Sequence, residues 1–206
     1  MATAKTDRKR ILKAPGERRQ DLLDAAVRVF KAKGIHSTTV ADITDAAGVA
    51  KGTFYLYFES RDHLLAALRE SFVDAFVERT TDFYERVGRD DWWSLVDAMI
   101  ETMVEMMYER RDAIAVFVQE GFTPATVETF GQCDVRVNQM IASGIQAGIE
   151  AGVFEVDDPE AAAALLHHAI EGTGLEGLLY NPELSKERLI AAGKALARKT
   201  LAPSST

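Results

Sequence analysis

A segment that reads GVAKGTFYLYF carries side chains whose chemistry suits contact with a nucleic-acid duplex. Lys51, Gly52 and Tyr55 are three and four residues apart, so on a helix they share one face, with Thr53 beside them. An ammonium group and hydroxyl groups can donate hydrogen bonds to phosphate. An aromatic ring can pack on a sugar or a thymine methyl, and a glycine lets the backbone approach closely. Tyr57 follows at the end of the helix, where its hydroxyl group can reach a phosphate.

Two short helices must position this face. Thr39 and Asp42 have the spacing of a capping box, which predicts the start of the first helix. Gly48 ends that helix in the left-handed conformation of a tight turn, and the second helix follows over about residues 50–57. Two short helices that meet at a glycine-containing turn form a helix-turn-helix.

The segment from Thr39 to Leu65, with its core GVAKGTFYLYFESRDHLL, resembles the DNA-binding signature of the TetR (tetracycline-repressor-like) family. Members of this family are mostly dimeric repressors that a ligand releases from DNA. Carried over to this chain, the resemblance implies the following DNA-contacting residues: Thr39, Lys51, Gly52, Thr53, Tyr55, Tyr57 and Arg61. One departure is Ala50, where family members often have a serine whose hydroxyl group can cap the second helix or contact phosphate.

An alternative interpretation of the same segment is two amphipathic helices of an ordinary helical bundle. Phe54 and Phe58 are four residues apart and face inward in either interpretation. The alternative leaves Lys51, Tyr55 and Tyr57 unexplained on one short exposed helix, which favours the DNA-binding interpretation.

The charge of the chain is unevenly distributed. Residues 1–65 carry 12 Lys and Arg against 8 Asp and Glu, a net of +4, whereas the remainder carries 12 against 24, a net of −12. A basic head on an acidic body is expected where only the head meets phosphate. The single Cys133 excludes an internal disulfide and fits a reducing cytoplasm. The first thirty residues do not resemble a signal peptide, and no apolar run approaches the ~20 residues that span a bilayer.

Three segments are predicted from these patterns. Residues 1–16 read as a disordered basic tail, residues 17–63 as the helix-turn-helix domain, and residues 64–202 as a helical ligand-binding and dimerisation domain. The basic tail either reaches the DNA backbone or minor groove, or is solvated and adds only non-specific attraction. Its cations are Lys5, Arg8, Lys9, Arg10 and Lys13.

Apolar residues recur at helical spacing through the whole chain, and no strand-like alternation of useful length occurs. Helices are predicted over residues 17–33, 60–87, 91–107, 113–119, 124–151 and 185–201, and from Pro159 onwards. The fold class is therefore all-α, with an N-terminal three-helix helix-turn-helix domain joined by a long helix to a C-terminal helical domain.

Candidate ligand-binding residues lie on the helices of the C-terminal domain. They are Trp92, Met99, Met103, Phe117, Asn138, Ile141, His168 and Glu171. Two interpretations stay open for the methionines, because adaptable thioethers suit both a pocket for an apolar ligand and an ordinary core. Asn138 either binds ligand or is satisfied by solvent or backbone, and His167 or His168 either lines a pocket beside Glu171 or is an interface histidine.

The last two helices present small residues that would let another helix come close, which suits a self-complementary dimer interface. The candidate interface residues are Leu165, Ala169, Gly172, Gly174, Leu189 and Leu196.

No enzyme activity, cofactor or metal site is predicted. The four histidines lack metal-ligand spacing, and neither a phosphate-binding glycine loop nor a nucleophile elbow is present. The sequence thus predicts a cytoplasmic homodimer that binds double-stranded DNA at a palindromic operator and is released by a largely apolar small molecule. Two alternatives stay open: control by a protein partner, and a helical small-molecule-binding or catalytic module with a vestigial head.

Overall fold

The structure, a computed structural model, describes residues 15–87, 91–120 and 124–203. Helices and connecting turns make up these residues, with no strand among them, so the all-α prediction is confirmed. The chain divides into two compact units, one that ends at Arg61 and one that begins at Asp62. The cations of the predicted basic tail lie outside the described residues.

The first unit contains three helices, which are α1 (Pro15–Lys33), α2 (Val40–Ala47) and α3 (Lys51–Phe54). Helix α1 begins two residues before the prediction, at a proline, which is tolerated in the first helical turn because its missing amide would be unpaired there. Gly48 has a φ of 67° and ends α2 in the left-handed conformation, as predicted. Fully buried side chains form the core of this unit, and the largest are Leu22, Leu23, Phe30, Ile43, Phe54 and Phe58.

The second helix of the DNA-binding motif is shorter than predicted. Helix α3 ends at Phe54, and residues 55–57 continue as tight turns in which Leu56 N donates to Thr53 O and Tyr57 N donates to Phe54 O. Phe58 N still donates to Phe54 O at 2.9 Å, so both phenylalanines point inward as they would on a longer helix.

Six further helices make up the described part of the second unit, except that Arg61, the first residue of α4, belongs to the first unit. They are α4 (Arg61–Val87), α5 (Trp92–Glu109), α6 (Arg111–Glu120), α7 (Pro124–Glu150), α8 (Pro159–Leu179) and α9 (Lys186–Leu201). Asp91, Asp158 and Ser185 cap α5, α8 and α9 by accepting a hydrogen bond from the backbone amide three residues on. Each of these three helices therefore starts where a polar side chain satisfies an otherwise unpaired amide.

The turn that the sequence predicts at Arg110, Arg111 and Asp112 is longer than the one observed between α5 and α6. Only Arg110 leaves the helical conformation, and its carbonyl already accepts hydrogen bonds from Ala113 N and Ile114 N. The next helix therefore begins at once, and α6 includes two residues that the sequence assigned to a turn.

A single apolar core joins five helices of the second unit, α4, α5, α7, α8 and α9. Ile100 and Val104 of α5, Ala163 of α8 and Leu201 of α9 are at most 1% exposed. Helix α8 buries residues on one side but exposes Leu165 on the other, so one of its faces is available for a further partner.

Candidate nucleic-acid interface and ligand cavities

A capping box fixes the start of α2. The hydroxyl group of Thr39 accepts from Asp42 N at 3.2 Å, and the Asp42 carboxylate accepts from Thr39 N at 2.8 Å. Hydrogen bonds from Lys33, 2.6 Å away, and from Thr39 hold the pKa of Asp42 well below its ordinary value. The box thus holds the end of α1 and the start of α2 together through a carboxylate that stays ionised.

Replacing Thr39 with Ala should lower the free energy of unfolding by about 1 kcal/mol, because the backbone amide of Asp42 loses its acceptor. Thr39→Ser keeps the hydroxyl group and is the matched control. Urea unfolding followed by far-UV circular dichroism measures the difference. Equal stability of the alanine and serine variants would mean that the box adds nothing to folding.

The polar face of the short helix α3 is open. Lys51 and Gly52 are exposed, Tyr55 is 53% exposed, and Thr53 and Tyr57 are half-buried. On the opposite side the rings of Phe54 and Phe58 are 5.5 Å apart and almost completely buried. The buried rings fix one side of the helix in the core. The Lys51 ammonium group, the hydroxyl groups and Gly52 therefore lie together on the opposite, outward side.

Sequence reasoning missed Leu56, which is 78% exposed on the same short segment. An apolar side chain so exposed beside Tyr55 suits contact with a thymine methyl group. The signal in the sequence was its position between two outward tyrosines. Ala50, the residue before α3, gives the helix no side-chain hydrogen bond, as its departure from the family pattern predicts.

Arg61 is engaged within the protein. Its Nη1 donates to the carbonyl oxygens of Ile35 at 2.6 Å and Thr38 at 3.2 Å, in the loop that leads into α2. Its guanidinium therefore fixes the loop before the capping box, and any contribution to DNA binding includes this positioning.

Two cavities, both partly open to solvent, lie in the described part of the second unit. Cavity A has a volume of about 300 Å³ and lies among α4, α5, α7, α8 and α9. Cavity B has a volume of about 350 Å³ and lies among α4, α5, α6, α7 and α8. Both are within the size range of small-molecule sites.

Six of the eight candidate ligand residues line these cavities. Trp92, Met99 and Ile141 line cavity A, Phe117 and Glu171 line cavity B, and Met103 lines both. Asn138 and His168 line neither cavity A nor cavity B. His167 lines both cavities instead, and its Nδ1 lies 2.8 Å from Asn138 Oδ1. His168 is half-exposed and lies near Glu171.

A cluster of charges borders cavity B. Arg69 Nη2 donates to Asp134 Oδ1 at 2.7 Å and to Glu171 Oε1 at 3.1 Å, which links α4 to α7 and α8. Burial lowers the pKa of Arg69, but the carboxylates of Glu171 and Asp134 outweigh burial and leave that pKa above its ordinary value. The guanidinium is therefore a permanent cation that two carboxylates neutralise.

Comparison with known proteins identifies the family. Residues 22–68 match the bacterial regulatory proteins of the tetR family, and residues 93–174 match the tetracyclin repressor-like C-terminal domain. The HTH-type transcriptional repressor KstR2 of Mycolicibacterium smegmatis is 37% identical over 146 residues, which are 69% of this chain and 70% of that repressor. The chain belongs to the TetR family. It is a DNA-binding transcriptional regulator.

Solved structures share the fold of this TetR-family regulator. A TetR-family transcriptional regulator from Syntrophomonas wolfei superposes with a TM-score of 0.80 at 22% identity, covering 90% of this chain and 95% of that chain. SmeT, a repressor from Stenotrophomonas maltophilia, superposes in its complex with triclosan with a TM-score of 0.75 at 20% identity, covering 91% and 93%. At these identities the likeness shows the fold alone.

The outward face of α8 contains part of the candidate dimer interface of this TetR-family regulator. Leu165 is 72% exposed, and Ala169 and Gly172 are exposed three and four residues apart on the same face. Leu196 of α9 is 42% exposed. Tyr180, which sequence reasoning missed, is 74% exposed just after the last residue of α8.

Gly174 and Leu189 must be removed from that candidate interface. A Cβ on Gly174 would lie 2.6 Å from Met107 Cε, so this glycine lets α8 approach α5 inside the chain. Leu189 is 7% exposed and belongs to the core of the second unit. In the described residues no helix is both long and apolar enough to cross a membrane, and no three His, Cys, Asp or Glu side chains could hold a metal ion.

Proposed function

We propose that this TetR-family regulator is a dimeric repressor that binds a palindromic operator and is released when a largely apolar small molecule enters its second unit. The exposed face of α3, opposite the buried Phe54 and Phe58, carries the DNA-binding part of the proposal. Lys51, Thr53 and Tyr57 supply phosphate contacts, Tyr55 and Leu56 contact sugar or base methyl groups, and Gly52 permits close approach. Thr39 and Arg61 support the face by fixing α2 and the loop before it.

The experiment that tests this assignment is Lys51→Ala. Loss of one phosphate contact should weaken binding to all duplexes and flatten the dependence of log affinity on log salt by about one unit. Binding is measured by fluorescence anisotropy on an operator selected by the wild-type protein from a random duplex library. Lys186→Ala, at the start of α9, is the matched control.

An unchanged salt slope for Lys51→Ala, together with unchanged affinity for Tyr55→Ala and Tyr57→Ala, would refute the assignment of α3 as the DNA-contacting element. The three variants differ in what they remove. Only the lysine variant changes the charge, so only it should alter the salt slope, whereas the tyrosine variants should lower affinity at every salt concentration.

Two cavities of ligand size support control by a small molecule, as does the triclosan bound to the structurally similar SmeT. The free energy that such control requires can be compared with the free energy that ligand binding provides. Moving a regulator from 99:1 to 1:99 between its DNA-competent and released states needs a ligand preference of about 5.5 kcal/mol, or ~10⁴-fold. Burial of about 200 Å² of apolar surface at ~25 cal/mol per Å² provides roughly 5 kcal/mol, so a modest apolar ligand suffices.

Dimerisation through α8 and α9 completes the proposal. A four-residue recognition helix offers too few contacts for tight specific binding, whereas paired heads can read two half-sites about one turn of DNA apart, or a multiple of it. We assign the protein a regulatory role in place of a catalytic one, since family membership supplies the former. We place it in the cytoplasm, where bacterial operator DNA is found.

A further inference from the structure

One buried histidine forms part of the wall between the two cavities. In the described residues only Met103 and His167 line both cavity A and cavity B. His167 is 4% exposed, on the inner side of α8, and its ring stacks on that of His168 with 4.7 Å between centroids. Any molecule that extends from one cavity into the other must therefore pass the imidazole of His167 and the thioether of Met103.

The hydrogen bond to Asn138 sets the tautomer of this imidazole. An amide oxygen can only accept, so the 2.8 Å contact requires that Nδ1 of His167 donates to Asn138 Oδ1. Burial holds the pKa of His167 below its ordinary value, although the nearby Glu171 carboxylate opposes this shift. The ring is therefore neutral near pH 7, and its Nε2 presents a lone pair and no proton.

This lone pair is unused and can be reached. The imidazole makes no other hydrogen bond in the described part of the chain. Thr80 Oγ1, in the wall of cavity A, is the one enclosed side-chain oxygen or nitrogen without a partner among the described residues. Nε2 of His167 is also unpaired but is not enclosed, so it opens into the space that the cavities provide.

Met103 is the movable part of the wall between cavity A and cavity B. A methionine side chain has three rotatable bonds and adapts to irregular space at little cost, so its thioether can turn aside when a molecule enters. His167 cannot move so freely, because its bond to Asn138 fixes the ring. The wall that the two cavities share thus contains one movable group, the Met103 thioether, and one fixed hydrogen-bond acceptor, Nε2 of His167.

We propose that the effector is an uncharged molecule with two apolar parts, one for each cavity, joined through a group that donates a hydrogen bond to Nε2 of His167. A hydroxyl or an N–H group between two rings or two alkyl arms has this chemistry. The proposal rests on the ligand-controlled function proposed above and specifies the class of ligand at that same site.

The charges around cavity B favour an uncharged ligand. Arg69 and Arg110 face the cavity with Asp134 and Glu171, which gives two charges of each sign. The two carboxylates already occupy Arg69, so an added anion would compete with them, and an added cation would be repelled by the arginines. A neutral donor meets the unpaired Nε2 without disturbing these contacts.

Three diphenyl compounds of almost the same shape test the proposal. Diphenylmethanol donates and accepts at its centre, benzophenone only accepts, and diphenylmethane does neither. A cavity of about 150 Å³ accepts a benzene ring, so each cavity here has room for one phenyl ring. Calorimetry on the full chain at about pH 7.5, above the ordinary histidine pKa, should show diphenylmethanol binding roughly three- to tenfold more tightly than benzophenone.

Two substitutions of His167 separate the two ring nitrogens. Asn places an amide donor near the position of Nδ1 but nothing at the position of Nε2. His167→Asn should therefore bind diphenylmethanol and benzophenone with about equal affinity. Gln can place an amide oxygen near the position of Nε2, so His167→Gln should keep a preference for diphenylmethanol. Far-UV circular dichroism checks whether both variants fold. The ratio of the alcohol and ketone affinities of the wild-type protein is informative without either variant.

Narrowing either cavity tests whether one molecule spans both. Gly144→Leu narrows cavity A, where an added Cβ would meet no atom within 4 Å, and Val118→Trp narrows cavity B from a position that is 37% exposed. Both variants should bind diphenylmethanol more weakly than the wild-type protein does. Weakening by only one of them would confine the ligand to a single cavity and overturn the proposal.

Other outcomes also overturn it. Equal wild-type affinities for the alcohol and the ketone, no binding of any of the three compounds, or loss of the alcohol preference in Thr80→Val but not in His167→Asn would each reject His167 as the acceptor. These binding measurements contain no DNA, whereas the Lys51→Ala experiment contains no ligand. Failure of the ligand class is therefore distinguishable from failure of the DNA-binding function.

Discussion

Placing Arg at Ala169 should convert the proposed dimer to monomers and lower operator affinity by about 10²–10⁴-fold. Ala169 is exposed on the outward face of α8, beside Gly172 and one turn from Leu165, which is 72% exposed. A guanidinium there would be buried without a partner at a self-complementary helix interface, which costs far more than the packing of alanine contributes. Once the heads separate, the second half-site no longer binds as an intramolecular event, and that advantage of 10²–10⁴ is lost.

Analytical ultracentrifugation and anisotropy with the selected operator measure the two effects. Val135→Arg is the matched control, because Val135 is 53% exposed on α7 and lies outside the candidate interface. Gly174 is unsuitable for this test, since a side chain there would strike Met107 inside the chain. A dimer that survives Ala169→Arg with full operator affinity would move the interface away from the outward face of α8.

The DNA-binding motif was predictable in detail because its signals are local. Thr39 and Asp42 are three residues apart and cap their own helix, and Gly48 adopts the left-handed conformation that its type makes accessible. The length of α3 was overestimated, since a period of about four residues places Phe54 and Phe58 inward both on a longer helix and on a four-residue helix followed by turns.

The interior of the second unit was only partly predictable, because its signals are not local. His167 and His168 are neighbours about 100° apart on α8, and helical spacing does not show which of them faces the cavities. Helix α8 is apolar on most sides, so the pattern also failed to separate Gly174, which faces α5, from Gly172, which faces outward. Such choices depend on which neighbouring helix covers which side, and that is settled by packing across the whole unit.

Phe54→Ala should lower the free energy of unfolding of the DNA-binding unit by about 3–5 kcal/mol. The ring is 0% exposed, packs 5.5 Å from the ring of Phe58, and is among the largest fully buried side chains of that unit. Its loss removes buried apolar surface and leaves a cavity, and a unit of only three helices has few neighbouring side chains that could fill it. A loss of this size is a large fraction of the stability of a small unit, so operator binding should fail because the helix-turn-helix is no longer folded.

The adjacent Tyr55 provides the contrast that makes this result specific. Tyr55 is 53% exposed, so Tyr55→Ala should leave unfolding almost unchanged and lower operator affinity directly. Hydrogen exchange resolved by mass spectrometry reports each unit separately, and in Phe54→Ala protection should fall over α1 to α3 while the core of α5 and α8 keeps its protection. If Phe54→Ala kept full protection yet lost DNA binding, or if Tyr55→Ala unfolded the unit, the assignment of inner and outer faces to α3 would be reversed, and with it the set of residues that contact the operator.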